Sequence, residues 1–558
     1  MKKIAKFLIV LGMMGQLSSC DYLDIVPDER AQESDTWKTE GAVRGYLYSC
    51  YGYLPANRTF GNSYWLAEEL TAVTKELFTT FKYGYYSPVS LGFTSNTWST
   101  IWNGIHQCYM FQESLKQVSN EYVTDEMKKQ YLAESNFLIA YYHFLSMRSY
   151  GPTMIIRSVI DLETPISGFP ERSSIDEVVA FINEKLDEAM SEGGLPTTWS
   201  GKDYGRATRL AALALKSRVY LYAASPLYNG NTEMYADFRS PLDGRQLIAQ
   251  EKSQAKWEIS ATQTKYAIDE VEKAKFHLYH DADAGEPSDA KPGLPNKAQR
   301  RLRYTNIDNQ TGNNPEIIWA DTRNDDYYGI QRRCPPRQTL GGKFAGISMT
   351  NCPTLQTIEA FYTKNGLPIN KDKTFDYDER YEYISAPENC DGNNYEDLVK
   401  YANFTPSSDK VMRLCTDREP RFYAWTTYHN GYFEFGKYNN EEISADPAKR
   451  AIRIHLLRDD PHGRGNRTDQ EYSISGFGNK KGVVPSAEWN VIEYPFPLFR
   501  LAELYLNYAE ALVELDRLSE AKVYLDKVRE RAGIPSVDEA WDKYSTNPGY
   551  QNTQEGMR

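Results

Sequence analysis

Two consecutive helical segments near the carboxyl end of the 558-residue chain constrain its fold most strongly. Apolar residues recur at helical spacing from position 498 to position 515, and a second run with this spacing begins at Ser519. Gly533 and Pro535 then supply the signals that end a helix. The pattern predicts two antiparallel helices joined by a tight turn, with Val523 among the inward-facing residues. One such pair cannot bury its apolar face alone, so it requires further helices as neighbours.

The pair spans 35 residues, which is close to the 34-residue period of tetratricopeptide repeats. Ala509 and Ala521 fall where that repeat places small side chains, which let two helices approach closely. Helical spacing also occurs earlier in the chain, at residues 40–54, 97–119, 125–149, 174–190, 208–224 and about 255–276. The sequence therefore predicts a mainly α fold built on a tetratricopeptide-like scaffold of helical hairpins.

The ends of these segments carry start and stop signals. Asp125 is placed to cap the helix that Gly151 ends, and Ser174 is placed to cap the next one. Thr208 begins an alanine- and leucine-rich helix that stops before Ser225. The tyrosines within the helices are predicted to lie in the core, namely Tyr131, Tyr141, Tyr142, Tyr505 and Tyr508.

Residues 280–490 differ from the helical segments because they are rich in Gly, Pro, Asn and Asp, with short apolar runs such as residues 316–320. This composition indicates an irregular, loop-rich subdomain with a few short strands and local helices. The predicted division is a signal peptide at 1–19, a helical part at 20–279, the loop-rich insertion at 280–490 and helices at 491–558.

The first twenty residues have the layout of an export signal. Three lysines precede a short apolar stretch at residues 7–17, which is too short to span a membrane. The tetrad LSSC at 17–20 resembles a bacterial lipobox, in which the cysteine carries the lipid. We therefore predict lipidation at Cys20 and a mature protein tied to a membrane by its acyl chains. An ordinary signal peptide with a chance cysteine is the alternative.

Charge and motif content exclude several classes of function. The chain carries 64 basic and 76 acidic residues, and loss of residues 1–19 leaves 61 and 76, so a nucleic-acid partner is not expected. No sequence motif indicates a catalytic residue, a metal site or a cofactor. Cys334 with Cys352 and Cys390 with Cys415 are possible disulfide pairs, and buried free thiols are the alternative.

Segments along almost the whole chain then resemble one family, the SusD/RagB outer-membrane nutrient-binding lipoproteins of Bacteroidetes. The matching segments, in order, are the lipobox followed by DYLD at 21–24, FLIAYYHF at 137–144 with YGP at 150–152, GRATRLAALALK at 205–216 with YLYAASPLYN at 220–229, PT at 353–354 with FYTKNG at 361–366, DREPRF at 417–422, and FRLAELYLNYAEAL at 499–512 with VRERAG at 528–533.

The resemblance implies a tetratricopeptide-like scaffold under an irregular subdomain. It implies a lipid-anchored, surface-exposed lid on the cell outer membrane, over a SusC-type TonB-dependent transporter as partner. The family's ligands are mostly glycans, and some members bind peptides. The family usually continues beyond the point where this chain ends at Arg558, so we expect the last part, 491–558, to be truncated.

Candidate ligand contacts lie in two aromatic loops, because aromatic rings cover the flat faces of sugars and loops on a rigid scaffold often carry binding residues. The family assigns glycan contacts to these regions rather than to matched positions. Packing is the alternative for Trp98 and Trp319. The candidates are Tyr83, Tyr85, Tyr86 and Trp98 in the first region, and Trp319, Arg323, Asp326, Tyr327 and Tyr328 in the second.

The sequence thus predicts a non-catalytic, cell-surface glycan-binding lipoprotein that captures oligosaccharides or polysaccharides for a partner transporter. A peptide-binding member of the same family would use a pocket between loops instead of an aromatic platform. The third reading, a lipid-anchored glycoside hydrolase, would require two carboxylates about 5–10 Å apart.

Overall fold

The computed structural model describes residues 37–56, 68–71, 94–161, 163–280, 283, 297–308, 314–323, 329–336, 349–385, 410–434, 451–460, 462–465, 472–484 and 491–558. Its helices are α1 (Glu40–Tyr51), α2 (Thr94–Leu115), α3 (Asp125–Tyr150), α4 (Ile175–Ala189), α5 (Arg209–Ala224), α6 (Thr232–Tyr235), α7 (Gln254–Lys273), α8 (Lys297–Tyr304), α9 (Ile330–Arg333), α10 (Leu355–Ala360), α11 (Pro420–Trp425), α12 (Leu501–Glu514), α13 (Leu518–Ala532), α14 (Val537–Tyr544) and α15 (Gln554–Met557). Its strands are β1 (Leu70–Thr71), β2 (Thr153–Met154), β3 (Arg172–Ser173), β4 (Ile317–Asp321), β5 (Cys352–Pro353), β6 (Tyr383–Ile384), β7 (Val411–Met412), β8 (Thr426–Thr427), β9 (Tyr432–Glu434), β10 (Ala451–Arg453), β11 (Gly478–Asn479) and β12 (Phe496–Arg500).

Eight helices form a continuous stack in which each helix packs against the next. The order is α1, α2, α3, α4, α5, α7, α12 and α13, so the chain leaves the stack after α7 and re-enters it at α12. One apolar core runs through the stack, from Val43 on α1 to Val528 on α13. This confirms the predicted mainly α fold with a tetratricopeptide-like helical scaffold. The five tyrosines predicted to lie in the core are buried in it, namely Tyr131, Tyr141, Tyr142, Tyr505 and Tyr508.

Local side-chain bonds explain where the helices begin. Ser174 caps α4 in a full capping box with Glu177, which confirms its predicted role. The predicted cap of α3 was wrong by one residue: the Thr124 hydroxyl accepts from the Met127 amide, and Asp125 is the first helical residue. A carboxylate in the first turn still favours the helix, because it faces the positive end of the helix dipole.

A strand pair connects the irregular region to the scaffold. β12 runs antiparallel to β4, with Phe499 opposite Trp319. The sequence predicted helix from position 498, but residues 496–500 are extended and α12 begins at Leu501. Pairing with β4 explains the difference, since it holds residues 496–500 in an extended conformation up to the start of α12.

Between these two strands the described chain is irregular. Four two-stranded antiparallel pairs occur there or reach it: β1 with β5, β6 with β7, β8 with β11, and β9 with β10. Separate apolar clusters centre on Phe422 and on Phe433. The region is therefore loop-rich, as expected from its composition, and the limits 280 and 490 stay a prediction.

The last residues of the chain pack back onto the final helical pair. The Gln554 amide donates to the carbonyls of Val513 and Glu514, and Arg558 forms an ion pair with Glu514 at 2.6 Å. Val523 was predicted to face inward, but 56% of it is exposed. It lies on the face of α13 turned away from α12.

The described cysteines are free thiols, namely Cys50, Cys108, Cys334, Cys352 and Cys415, and all five are buried. Cys334 and Cys352 are therefore not joined in the structure, and Cys390 lies outside the described residues. No helix in the described ranges is long and apolar enough to cross a membrane.

Candidate functional site

A cavity of about 770 Å³ lies between the helical stack and the irregular region. Its volume is within the range of ordinary small-molecule sites. The wall is contributed by segments far apart in sequence: the end of α3, the strands β1, β8, β11 and β12, and residues near α9, α10 and α11. The cavity therefore exists only because the chain returns to the scaffold at β12.

Aromatic side chains form one part of the wall. Phe361, Trp425, Tyr494 and Phe496 line the cavity. The Trp425 indole donates to the Leu302 carbonyl at 3.0 Å. The Tyr494 hydroxyl donates to the Gly482 carbonyl at 2.8 Å. These bonds fix the rings before any ligand binds, which lowers the entropic cost of binding.

Basic side chains form another part of the wall. Arg148, Lys481 and Arg500 line the cavity, and the Lys481 ammonium lies 4.6 Å from the centre of the Trp425 ring. Lys481 is exposed into the cavity, yet the surrounding protein and the neighbouring Arg500 lower its pKa to about 8. Arg500 donates to the carboxylate of Glu316 at 3.0 Å.

Glu316 is fully buried and is shared by two arginines, since Arg531 also pairs with it at 2.5 Å. Burial opposes the charged form of this carboxyl, but the guanidinium groups of Arg531 and Arg500 outweigh burial and lower the pKa of Glu316. The bonds of Glu316 with these two arginines therefore hold Arg500 at the cavity wall and link β12 to α13.

Acidic side chains are scarce in the described part of the wall. Glu69 is the one carboxylate among the described residues that line the cavity. Glycoside hydrolysis generally uses two carboxylates, one as acid and one as base or nucleophile. Within the described chain, no group of three His, Cys, Asp or Glu side chains is placed to hold a metal ion.

Trp319 is a core residue, which corrects its selection as a ligand contact. It is 2% exposed, its indole donates to the Gly205 carbonyl at 2.9 Å, and its ring packs against Phe137, Tyr141 and Phe499. The packing alternative therefore applies to it.

Arg323 is also occupied by structural bonds. It pairs with Asp321 at 2.7 Å and donates to the carbonyls of Leu54 and Pro55 at 2.8 and 2.9 Å. It thereby joins the end of β4 to the segment after α1. A ligand contact by Arg323 would compete with these bonds.

Trp98 is half-buried and stacks edge-on against Tyr150 at 4.9 Å, with Trp102 at 5.3 Å on another side. Tyr150 is two residues from Arg148 of the cavity wall, but Trp98 itself is not among the lining residues. The other candidate contacts lie outside the described residues, as does the predicted lipid site: Cys20, Tyr83, Tyr85, Tyr86, Asp326, Tyr327 and Tyr328.

The sequence reasoning missed the aromatic and basic residues of the wall. Trp425 closes the segment RFYAW at 421–425, and Tyr494 and Phe496 alternate with prolines just before α12. Lys481 lies in a KKG turn. For Tyr494 and Phe496 the available signal was an aromatic beside a proline; Trp425 and Lys481 have no such signal.

A helical-repeat scaffold that carries an irregular, cavity-forming insertion defines a class of ligand-binding proteins, and comparison places this chain within it. A profile described as "SusD family" matches residues 315–558, and one described as "Starch-binding associating with outer membrane" matches residues 21–221. The chain belongs to the SusD family. No curated protein sequence matches it.

Solved structures share the fold over most of the chain. The structure titled BT4246 is 29% identical, with a TM-score of 0.75 over 93% of this chain and 86% of that one. A SusD-like protein (BF3747) from Bacteroides fragilis NCTC 9343 is 20% identical, with a TM-score of 0.64 over 91% and 82%. A SusD-like carbohydrate binding protein (BF0978) from the same organism is 17% identical, with a TM-score of 0.55 over 90% and 80%.

Proposed function

We propose that this protein binds glycans at the cell surface, without catalysis, and passes them to a SusC-type TonB-dependent transporter. The observation that carries the proposal is the preformed cavity, with its four aromatic rings beside amide and charged groups. Rings cover the C–H faces of sugars, and polar groups at the rim bond their hydroxyls. The profile described as starch-binding and outer-membrane-associated supports both ligand class and location.

The test uses the chain from Asp21 onward, which retains every described residue. Affinity electrophoresis through gels that contain single polysaccharides measures capture directly. Replacement of Trp425 by leucine removes one cavity ring and should weaken binding roughly two- to tenfold, the range expected for one aromatic contact. Trp541→Leu is the matched control, because Trp541 is also half-buried but stacks on Tyr550 in the carboxyl-terminal part.

Equal weakening by both tryptophan variants, or none by either, would show that the glycan does not bind in this cavity. A separate double variant tests the loop candidates. Tyr327→Ala with Tyr328→Ala should weaken glycan binding if that loop contributes. Ile330, two residues beyond Tyr328, lines the cavity, which supports including the loop. Conversion of any bound oligosaccharide to shorter products would contradict a purely binding role.

A peptide-binding role is the second candidate, and the position of the described rings in a recess between segments favours it. The described rings surround a cavity between segments rather than forming an open platform. Competition separates the two roles: oligosaccharide, but not a mixture of short peptides, should displace a bound glycan. Co-purification of the lipidated protein with a SusC-type transporter from detergent-solubilised membranes would test the partner.

A further inference from the structure

The candidate cavity carries a charge opposite to that of the whole molecule. The chain has a net charge of −12, yet three of the four ionisable side chains with a full charge in the wall are basic. They are Arg148, Lys481 and Arg500, and Glu69 is their counterpart among the described residues. A basic recess in an acidic protein attracts anions locally while the rest of the surface repels them.

Each basic group has donors available to a ligand. Arg148 lies in the last turn of α3; its guanidinium lies 5.9 Å from the centre of the Phe144 ring and makes no hydrogen bond or ion pair with the described residues. Lys481 rests over Trp425 without a carboxylate partner in the described chain. Arg500 uses one guanidinium nitrogen for Glu316, which leaves its other N–H groups for the cavity.

A buried amide adds a neutral donor to the same wall. Asn306 is 8% exposed and lines the cavity, and its Nδ2 has no hydrogen-bond partner in the described part of the protein. An unpaired buried donor is unfavourable, so it marks a place where an acceptor is expected. Carboxylate and sulfate oxygens are such acceptors, and they accept more strongly than hydroxyls.

We propose that the glycan bound in this cavity is acidic, with carboxylate groups of uronic acids or sulfate esters held by Arg148, Lys481, Arg500 and Asn306. The inference rests on the proposed function and names the substrate class of that site. The aromatic rings would cover the sugar faces while the basic groups neutralise the anion. The lowered pKa of Lys481 agrees with this picture: burial is its main cause, and Arg500, Arg421 and Arg531 lower the pKa further while Glu69 raises it.

The first test is affinity electrophoresis of the chain from Asp21 onward against charged and neutral polysaccharides. The acidic gels contain polygalacturonate, hyaluronan or chondroitin sulfate, and the neutral gels contain fully methyl-esterified polygalacturonate, starch or laminarin. We expect retardation in acidic gels that weakens with added salt. Retardation by polygalacturonate or hyaluronan, which carry no sulfate, would assign carboxylate as a sufficient anion, and retardation by chondroitin sulfate alone would show that sulfate is required.

The outcomes separate this inference from the proposed function. Retardation in neutral gels only would overturn the acidic class and leave glycan capture standing. No retardation in any gel would overturn both, and binding of acidic peptides instead would assign the cavity to the peptide-binding alternative. Non-specific attraction is not a concern, because the mature chain is itself strongly acidic.

Variants test the named residues. Lys481→Met and Arg148→Met should each weaken binding of the retained acidic polysaccharide at least about tenfold, as expected for a charge-assisted hydrogen bond. Lys129→Met is the matched control: Lys129 is exposed near the other end of α3, about 28 Å from Arg148 along the helix.

Circular dichroism would show that each variant is folded, and Lys481→Arg, which keeps the charge, should retain most of the affinity. Wild-type affinity in both methionine variants, or an equal loss in Lys129→Met, would overturn the proposal.

Discussion

Lys481 gives the cavity a charge that changes near neutral pH. Its pKa is lowered to about 8, whereas a free lysine side chain titrates near 10.4. The protonated form attracts an anion, so affinity for an acidic glycan should be constant below about pH 7 and fall as the pH rises through about 8. Titration calorimetry from pH 6 to pH 9.5 would measure the fall.

Two substitutions of Lys481, one that keeps its charge and one that removes it, are the controls for this pH dependence. Lys481→Arg should bind with a nearly flat profile, because arginine does not titrate in this range. Lys481→Met should bind more weakly and also show a flat profile. A wild-type profile that stays level to pH 9.5 would show that Lys481 does not contact the anion.

Single residues show what local sequence can and cannot fix. The helical tyrosines were correctly placed in the core because their spacing matches a helix face. Val523 fits the same spacing but is exposed, since the neighbours of α13 cover another face. Trp319 follows an apolar run and lies opposite Phe499 of the neighbouring strand β12, so its burial depends on a strand about 180 positions away in sequence.

At the scale of elements, the buried charge cluster around Glu316 joins β4, β12 and α13. Glu316→Gln keeps the shape but leaves Arg531 and Arg500 without their shared carboxylate. Removing one partner of a buried pair costs about 3–5 kcal/mol, and we expect a loss of that size in urea unfolding at pH 7. Glu258→Gln, which breaks an exposed pair with Arg517, should cost less than about 1 kcal/mol.

The charge cluster around Glu316 also determines how the free energy of unfolding changes in acid. The folded pKa of Glu316 is lowered, so its contribution is fully present above the unfolded value near 4.3. It is lost as the pH falls through the lower, folded value. Wild type and Glu316→Gln should therefore differ in stability at pH 7 and converge in strong acid. A constant difference down to pH 2 would contradict this assignment.

The capping box of α4 offers a second test at this scale. Ser174→Ala removes the hydroxyl that accepts from the Glu177 amide and should lower the free energy of unfolding by about 1 kcal/mol. Ser253→Ala is matched to it, because Ser253 is the N-cap of α7 but makes no side-chain cap bond. Equal losses of stability in the two variants would mean that the side-chain bonds of the capping box add nothing beyond having serine at the N-cap position.

For the whole molecule, the helical stack was predictable and the cavity was not. Helix spacing, caps and stop signals are local, so α2, α3, α4, α5 and α7 follow from short stretches of sequence. The wall of the cavity joins Arg148, Asn306, Trp425 and Lys481, which are brought together only by packing between distant segments. Their side chains carry no shared local pattern, so sequence reasoning favoured aromatic loops instead.

Attachment to the membrane is the prediction that concerns the molecule as a whole. We expect Cys20 to carry lipid, because the preceding tetrad resembles a lipobox and two or more acyl chains hold a protein stably at a bilayer. Cys20→Ala should move the full-length protein from the detergent phase to the aqueous phase in detergent partitioning. Cys390→Ala removes a thiol elsewhere and should leave partitioning unchanged. Detergent-phase recovery of Cys20→Ala equal to that of the wild type would show that something other than lipid on this residue holds the protein at the membrane.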